Sequence, residues 1–227
     1  LFNCVKQSYL MSSWPVRIIP NSIDTSIWKP INNFFARDLF NLPKDKPLLL
    51  FGTFNSNDEF HKGFDLLIES INKLVIDSDE INLVIMGLHN PNNSIKFKFP
   101  TYYVGRLDDN QSLVALYNAV DIVLVPSRID NFPNIATEAH ACGTPVVAFE
   151  TGGLNDIVTH KLTGYLAKAF DTSDFSKGIL WVLKKIKEDY LFDIHARKKI
   201  IGLCDEKKIA KKYKSLYEEV ISQSKLK

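Results

Sequence analysis

Apolar residues in this chain fall into short unbroken runs, separated by stretches in which they recur every three or four positions. The runs Pro47 to Phe51, Ile81 to Met86, Asp121 to Val125 and Val146 to Phe149 have the continuity of strands covered on both faces, as in a parallel sheet. Gly52 and Gly87 stop the first two. Shorter strands are expected at Val16 to Ile19, before the turn-forming Pro20-Asn21-Ser22, at Tyr102 to Val104 before Gly105, and near Gly164 to Ala167.

Helical spacing fills the intervals. After a polar loop from Asn55 to Phe60, Lys62-Gly63 open a helix with Phe64, Leu67, Ile68, Ile71, Leu74 and Val75 on its apolar positions. A helix from Asp108 to Ala119 has Asp108 or Asp109 as its cap, with Leu113, Leu116 and Tyr117 inward. A shorter helical stretch lies near Phe34 to Asn41, and residues 88 to 100 read as an exposed excursion. Ser127 to Phe149 reads as loop, helix from near Pro133, tight turn at Cys142-Gly143, and buried strand. The tail is helical over Thr172 to Lys187, Tyr190 to Ile201 and Asp205 to Ser222. Strand followed by helix, repeated about five times, predicts an α/β fold built on a doubly wound parallel sheet, with extra C-terminal helices.

Composition narrows the function classes. A net charge of +2 argues against a dedicated polyanion binder, so no nucleic-acid partner is expected. Cys4, Cys142 and Cys204 are odd in number and lack CxxC spacing, which reads as reduced thiols in a cytosolic protein with no zinc site. No apolar run approaches the roughly 20 residues that span a bilayer, and no signal peptide is evident. The expectation is a cytoplasmic protein, at most peripheral to a membrane; the tail lysines fit a solvated face, with membrane contact as the alternative. The first residue is Leu1, and residues 1 to 14 look like the end of a helix whose beginning is missing, so a fragment is expected.

In an open parallel sheet, ligands settle outside the carboxyl ends of the strands. Three elements lie there: Gly52 with the loop to Lys62-Gly63, the turn Gly105-Arg106, and the stretch from Asp130 to Glu138. Lys62 precedes a helix N-terminus, where free amides and the helix dipole favour an anion; the alternative is an exposed lysine at a helix start. Glu138 lies at the margin of the apolar stripe Ile135, Ala139 and Cys142. It either accepts hydroxyl hydrogen bonds from a ligand or reaches solvent or a lysine. Asp130, with Asn131 and Pro133, is either a helix entrance cap or a grip on sugar hydroxyls beside the amides of Asn134 and Ile135. Neither GxGxxG nor GxxxxGK[ST] is present.

A family resemblance joins these pieces. IPNSIDTSIWKP (Ile19 to Pro30) resembles the IPNG-[VI]-D…F-x-P signature that opens the C-terminal half of family 4 glycosyltransferases, which have the GT-B fold. DNFPNIATEAHACGTPVVAF (Asp130 to Phe149) is similar to that family's E-x7-E region followed by EAxAxGxPVVA. LYNAVDIVLVPS (Leu116 to Ser127), Lys62-Gly63 and TGG…DIV…TGYLA (Thr151 to Ala167) are similar to its other segments, so the resemblance covers nearly the whole chain.

The resemblance implies a Rossmann-like domain of a retaining enzyme that moves a sugar from a nucleotide-sugar, UDP- or GDP-linked, to an acceptor hydroxyl in polysaccharide or glycolipid synthesis. It implies no cofactor and no metal at the diphosphate. By matching position, Lys62 contacts the diphosphate, Asp130 the sugar hydroxyls and Glu138 the ribose. The backbone of Phe132, Pro133, Asn134 and Ile135 approaches sugar and phosphate. Gly105, Arg106 and Leu107 flank the base, and Gly52 and Thr53 belong to the phosphate end. Two departures stand out. Asp130 replaces the usual glutamate, and Thr53 stands where an arginine is usual, leaving His61 or Arg106 to compensate. The family layout further implies that residues 1–14 are a linker remnant and that 15–204 form the donor-binding domain. Residues 205–227 would then be a helix packing toward a missing N-terminal domain that carries the acceptor site. Alternative readings are a nucleotide-sugar epimerase or phosphorylase and a flavodoxin-like nucleotide-binding module.

Overall fold

In the computed structural model, which describes residues 2–52, 59–87 and 97–224, the first strand of the chain lies inside the sheet and later strands are laid on either side of it. Strands β1 (Leu48–Gly52), β2 (Asn82–Met86), β3 (Thr101–Gly105), β4 (Ile122–Val125), β5 (Val146–Phe149) and β6 (Gly164–Ala167) form one parallel sheet in the order β3-β2-β1-β4-β5-β6. Leu50 is in register with Val84 on one side and with Val123 on the other. The chain winds outward through β2 and β3, returns to the other flank of β1 with β4, and winds outward again through β5 and β6. This is the predicted doubly wound arrangement.

Both faces of the sheet are covered, which is why its inner strands are apolar at nearly every position, with Asn82 of β2 a buried polar exception. Helices α4 (Phe64–Asn72) and α8 (Thr172–Lys187) bury one face, where Leu67, Ile71, Phe175 and Ile179 meet Leu49, Phe51, Leu124 and Val147. Helices α2 (Asn33–Leu39), α5 (Asn110–Ala119), α6 (Asn134–Ala141) and α9 (Phe192–Cys204) cover the other, where Leu48, Leu50, Val123 and Val146 meet Ala36, Leu116, Ala139 and Ile200. Successive residues of β1 therefore serve opposite cores, as the two-residue strand period requires. Helix starts follow their capping residues: Asn32 accepts from the Phe35 amide, Asp109 from Ser112, and Asp171 from Ser173 and Asp174.

Several expectations change. Val16 to Ile19 pairs with no strand among the described residues; Arg17 to Ile19 form one wall of a groove whose other wall is α10 (Glu206–Ser224), and nearby only Ile23 makes an isolated bridge, to Asp205. Short apolar runs become strands only where a neighbour offers its backbone, and Pro15 and Pro20 remove donors at both ends of this one. The helix opened by Lys62-Gly63 is α4, with Gly63, φ of 70°, at its N-cap; a separate short helix, α3 (Glu59–Lys62), precedes it where the end of the polar loop was expected, and Lys62 is its last residue. Val75 lies past the end of α4 and is 90% exposed. At the N-terminus α1 (Phe2–Gln7) is followed by turns, and a further short helix, α7 (Leu154–Ile157), follows β5. Residues 55–58 of the expected polar loop and 88–96 of the expected excursion lie outside the described residues. No described helix is long and apolar enough to cross a membrane.

Candidate functional site: a cleft at the sheet switch point

Because β1 and β4 begin opposite windings, the chain leaves their carboxyl ends in different directions and a crevice opens between the departing loops. A cleft of about 440 Å³ occupies this place. Of the residues singled out from sequence, Gly52, Lys62, Leu107, Asp130, Phe132, Pro133, Asn134, Ile135 and Glu138 line it. Segments far apart in sequence converge here on the strength of the topology alone.

Lys62 is delivered by α3, whose position is fixed from beneath. Arg128, just after β4, donates to the Phe60 carbonyl at 2.8 Å and grips Asp65 with both terminal nitrogens at 2.7 and 2.5 Å. Its guanidinium packs on the Phe60 ring, and its amide donates to the His61 carbonyl at 2.9 Å. A Cβ at Gly63 would run into the Pro126 carbonyl, so glycine is needed both for the positive φ and for this close approach. Gly52 serves the floor of the cleft, since a Cβ there would come within 2.8 Å of the Ile135 side chain.

Asp130 does not cap α6. Pro133 occupies the N-cap position and offers no side-chain acceptor, while Asp130 Oδ1 accepts from the Phe132 amide at 3.3 Å and Oδ2 accepts from Lys62 Nζ at 3.0 Å. The amides of Asn134 and Ile135 are thus among the first, intrahelically unpaired N–H groups of a helix whose dipole points its positive end at the cleft. The loop is braced from behind by Thr151-Gly152-Gly153. Thr151 Oγ1 donates to the Ser127 carbonyl at 3.1 Å, and the Gly153 amide donates to that of Asp130 at 3.3 Å. Side chains at Gly152 or Gly153 would strike the carbonyls of Asp130 and Asn131.

Glu138 lies one turn further along α6, half-buried, and among the described residues it pairs with no lysine. The Tyr117 hydroxyl, from α5, donates to Glu138 Oε2 at 2.8 Å. Burial raises the Glu138 carboxyl above the ordinary range, and the Tyr117 hydrogen bond opposes that rise. Burial likewise raises the Tyr117 hydroxyl well above its usual value, so it stays a donor.

The remaining sequence candidates sit differently. Gly105, with φ of 66°, ends β3 and accepts from the Gly87 amide at 2.6 Å. Arg106 spends its Nε on Asp108 at 2.6 Å on the exposed surface, and the exposed His61 ring packs edge-on against Phe60 at 5.8 Å; neither side chain lines the cleft. Thr53 lies outside the described residues. Reasoning from sequence assigned no site role to Asn21, Met86, Leu113, Tyr117, Pro126 or Ser127, which also line the cleft. Asn21 stood inside the IPN match and Tyr117 inside the LYNAVD match, and those were the available signals. Among the described residues no group of three or more His, Cys, Asp or Glu side chains is arranged to hold a metal ion.

Comparison with known proteins agrees with this architecture. The D-inositol 3-phosphate glycosyltransferase of Xylanimonas cellulosilytica is 29% identical over 172 residues, which cover 69% of this chain and 40% of that protein. The chain thus spans about 40% of the length of such curated relatives. Sucrose-phosphate synthase from Thermosynechococcus elongatus superposes with a TM-score of 0.80 at 24% identity, covering 98% of this chain and 57% of that one. The Anabaena protein Alr3699/HepE, solved with UDP and glucose, superposes with a TM-score of 0.71 at 17% identity, covering 89% and 56%. These neighbours share the GT-B architecture. The model of the family described as "Glycosyl transferases group 1" matches residues 35–199, from α2 through the cleft into α9. On that match, the chain belongs to the group 1 glycosyltransferases.

Proposed function

We propose that the cleft binds a nucleotide-sugar and that the chain is the donor-binding part of a retaining glycosyltransferase acting on an acceptor hydroxyl. The observation that carries this reading is the convergence of Lys62, Asp130, Glu138 and the start of α6 in one crevice at the switch point. In this scheme Glu138 accepts hydrogen bonds from the ribose hydroxyls, using the oxygen capacity that Tyr117 leaves free. Lys62 and the α6 amides take the diphosphate, and they stabilise the charge that grows on it as the glycosidic bond breaks. Asp130 takes hydroxyls of the transferred sugar, and the apolar Leu107 and Leu113 flank the base.

No cofactor enters this scheme, and the cationic work at the diphosphate is given to Lys62 rather than to a metal. The acceptor, a glycan or glycolipid, is proposed to meet the donor from a second domain across the cleft, with the protein in the cytoplasm or at the inner membrane face. A structure solved for Alr3699/HepE with UDP and glucose supports a uridine diphosphate sugar as the first donor to try. Calorimetric titration with UDP, GDP and ADP is expected to give binding that falls at least tenfold in Lys62→Ala and in Glu138→Ala. Absence of binding, or binding indifferent to both substitutions, would favour a module in which these acids only shape the loop.

A further inference from the structure

Inside the cleft, Lys62 is held by an acid. Lys62 Nζ is 3.0 Å from Asp130 Oδ2, with the two side chains 36% and 17% exposed. The backbone frames that carry them are fixed. Arg128 ties α3 to the segment after β4, Gly153 holds the Asp130 carbonyl, and Asp130 Oδ1 is anchored on the Phe132 amide. What remains free to move is the long lysine side chain.

Resting on the reading of the cleft given above, we propose that the Lys62–Asp130 ion pair makes the site discriminate an intact nucleotide-sugar from the bare nucleoside diphosphate. A diphosphate must take Lys62 from Asp130, which leaves a partly buried carboxylate without its partner, and that loss offsets part of the new interaction. An intact donor brings the replacement: its sugar hydroxyls donate to Asp130 while its phosphates receive Lys62, so both charges exchange partners together. The product diphosphate lacks those hydroxyls and competes with Asp130 for one ammonium. The ion pair is then a selectivity device, weakening retention of the spent nucleotide.

The test measures UDP, GDP and ADP and their glucose conjugates on the whole chain, wild type beside Asp130→Asn, Lys62→Met and the double variant, each shown folded by its thermal melt. Asparagine retains an acceptor for the Phe132 amide, so the loop keeps its turn. Asp130→Asn is expected to bind the diphosphate about fivefold more tightly, the range of a partly exposed ion pair, while its affinity for the conjugate stays level or falls. In the Lys62→Met background the same substitution should give no gain. Unchanged or weaker diphosphate binding in Asp130→Asn, or a gain that persists without Lys62, refutes the exchange while leaving the reading of the cleft standing. Failure of every nucleotide to bind the wild type removes that reading and this inference with it.

Discussion

At the scale of single residues, the Tyr117–Glu138 hydrogen bond sets how the proposed ribose acceptor behaves with pH. Burial favours the neutral acid, and the 2.8 Å bond from Tyr117 favours the carboxylate. Only the carboxylate accepts with all its lone pairs, so acidification through the raised pKa should weaken nucleotide binding. Tyr117→Phe removes the opposing influence, and the carboxyl should rise further. Its acid limb of UDP binding should therefore move to higher pH. Titrations from pH 5 to 8 on both proteins check this, and coincident limbs would remove Tyr117 from the role. Nothing in the local pattern revealed this pair. Helical spacing turned Tyr117 inward, but that its hydroxyl meets an acid on another helix depends on how α5 and α6 pack.

At the scale of elements, the break between α3 and α4 aims Lys62. Gly63→Ala would place a side chain at φ of 70° against the Pro126 carbonyl, so the turn must open or the end of β4 must shift. A destabilisation of about 2 kcal/mol or more is expected, with nucleotide affinity falling as α3 loses its aim. Chemical denaturation and titration of the same variant read the two effects. Elements whose identity rests on a local pattern were legible: the buried strands, a cap at Asp108 or Asp109 that the fold gives to Asp109, and the span of α8 from Thr172 to Lys187. Elements defined by distant partners were not. Val16 to Ile19 has a strand's composition without a strand beside it among the described residues, and Thr151 to Gly153 stood only in a matching string, with its bracing of Asp130 visible only in the fold. The same division runs through the site: the acids and Lys62 carry chemistry visible in their strings, whereas Asn21 and Tyr117, although inside matched strings, gain a place in the site only through the fold.

At the scale of the whole molecule, two buried polar groups hold layers together away from the proposed chemistry. Arg37, 4% exposed, donates to the carbonyls of Ala119, Pro43 and Lys46 and to Asp121, which also accepts from the Leu48 amide. It thereby ties α2 to the amino ends of β1 and β4, opposite the cleft. Arg37→Met should cost about 3–5 kcal/mol by stranding the Asp121 carboxylate, with nucleotide affinity of the folded fraction unchanged. His140 makes stability depend on pH. It is fully buried between the Thr144 carbonyl at 3.0 Å and the Thr163 hydroxyl at 3.1 Å, and burial pushes its pKa down from 6.5 to about 4. Above pH 6.5 both folded and unfolded chains hold a neutral ring, and this residue adds no slope. Between 6.5 and 4 the unfolded chain takes up a proton that the folded one refuses, so stability falls, by roughly 3 kcal/mol at the lower end. Below that both are protonated and the slope ends. Glu138 acts with the opposite sign, because its folded carboxyl holds a proton at higher pH than the unfolded one. Denaturation of wild type and His140→Gln from pH 7 to 4 should therefore show the wild type losing roughly 3 kcal/mol relative to the variant on acidification, and parallel curves would show that the imidazole is not kept neutral by the fold.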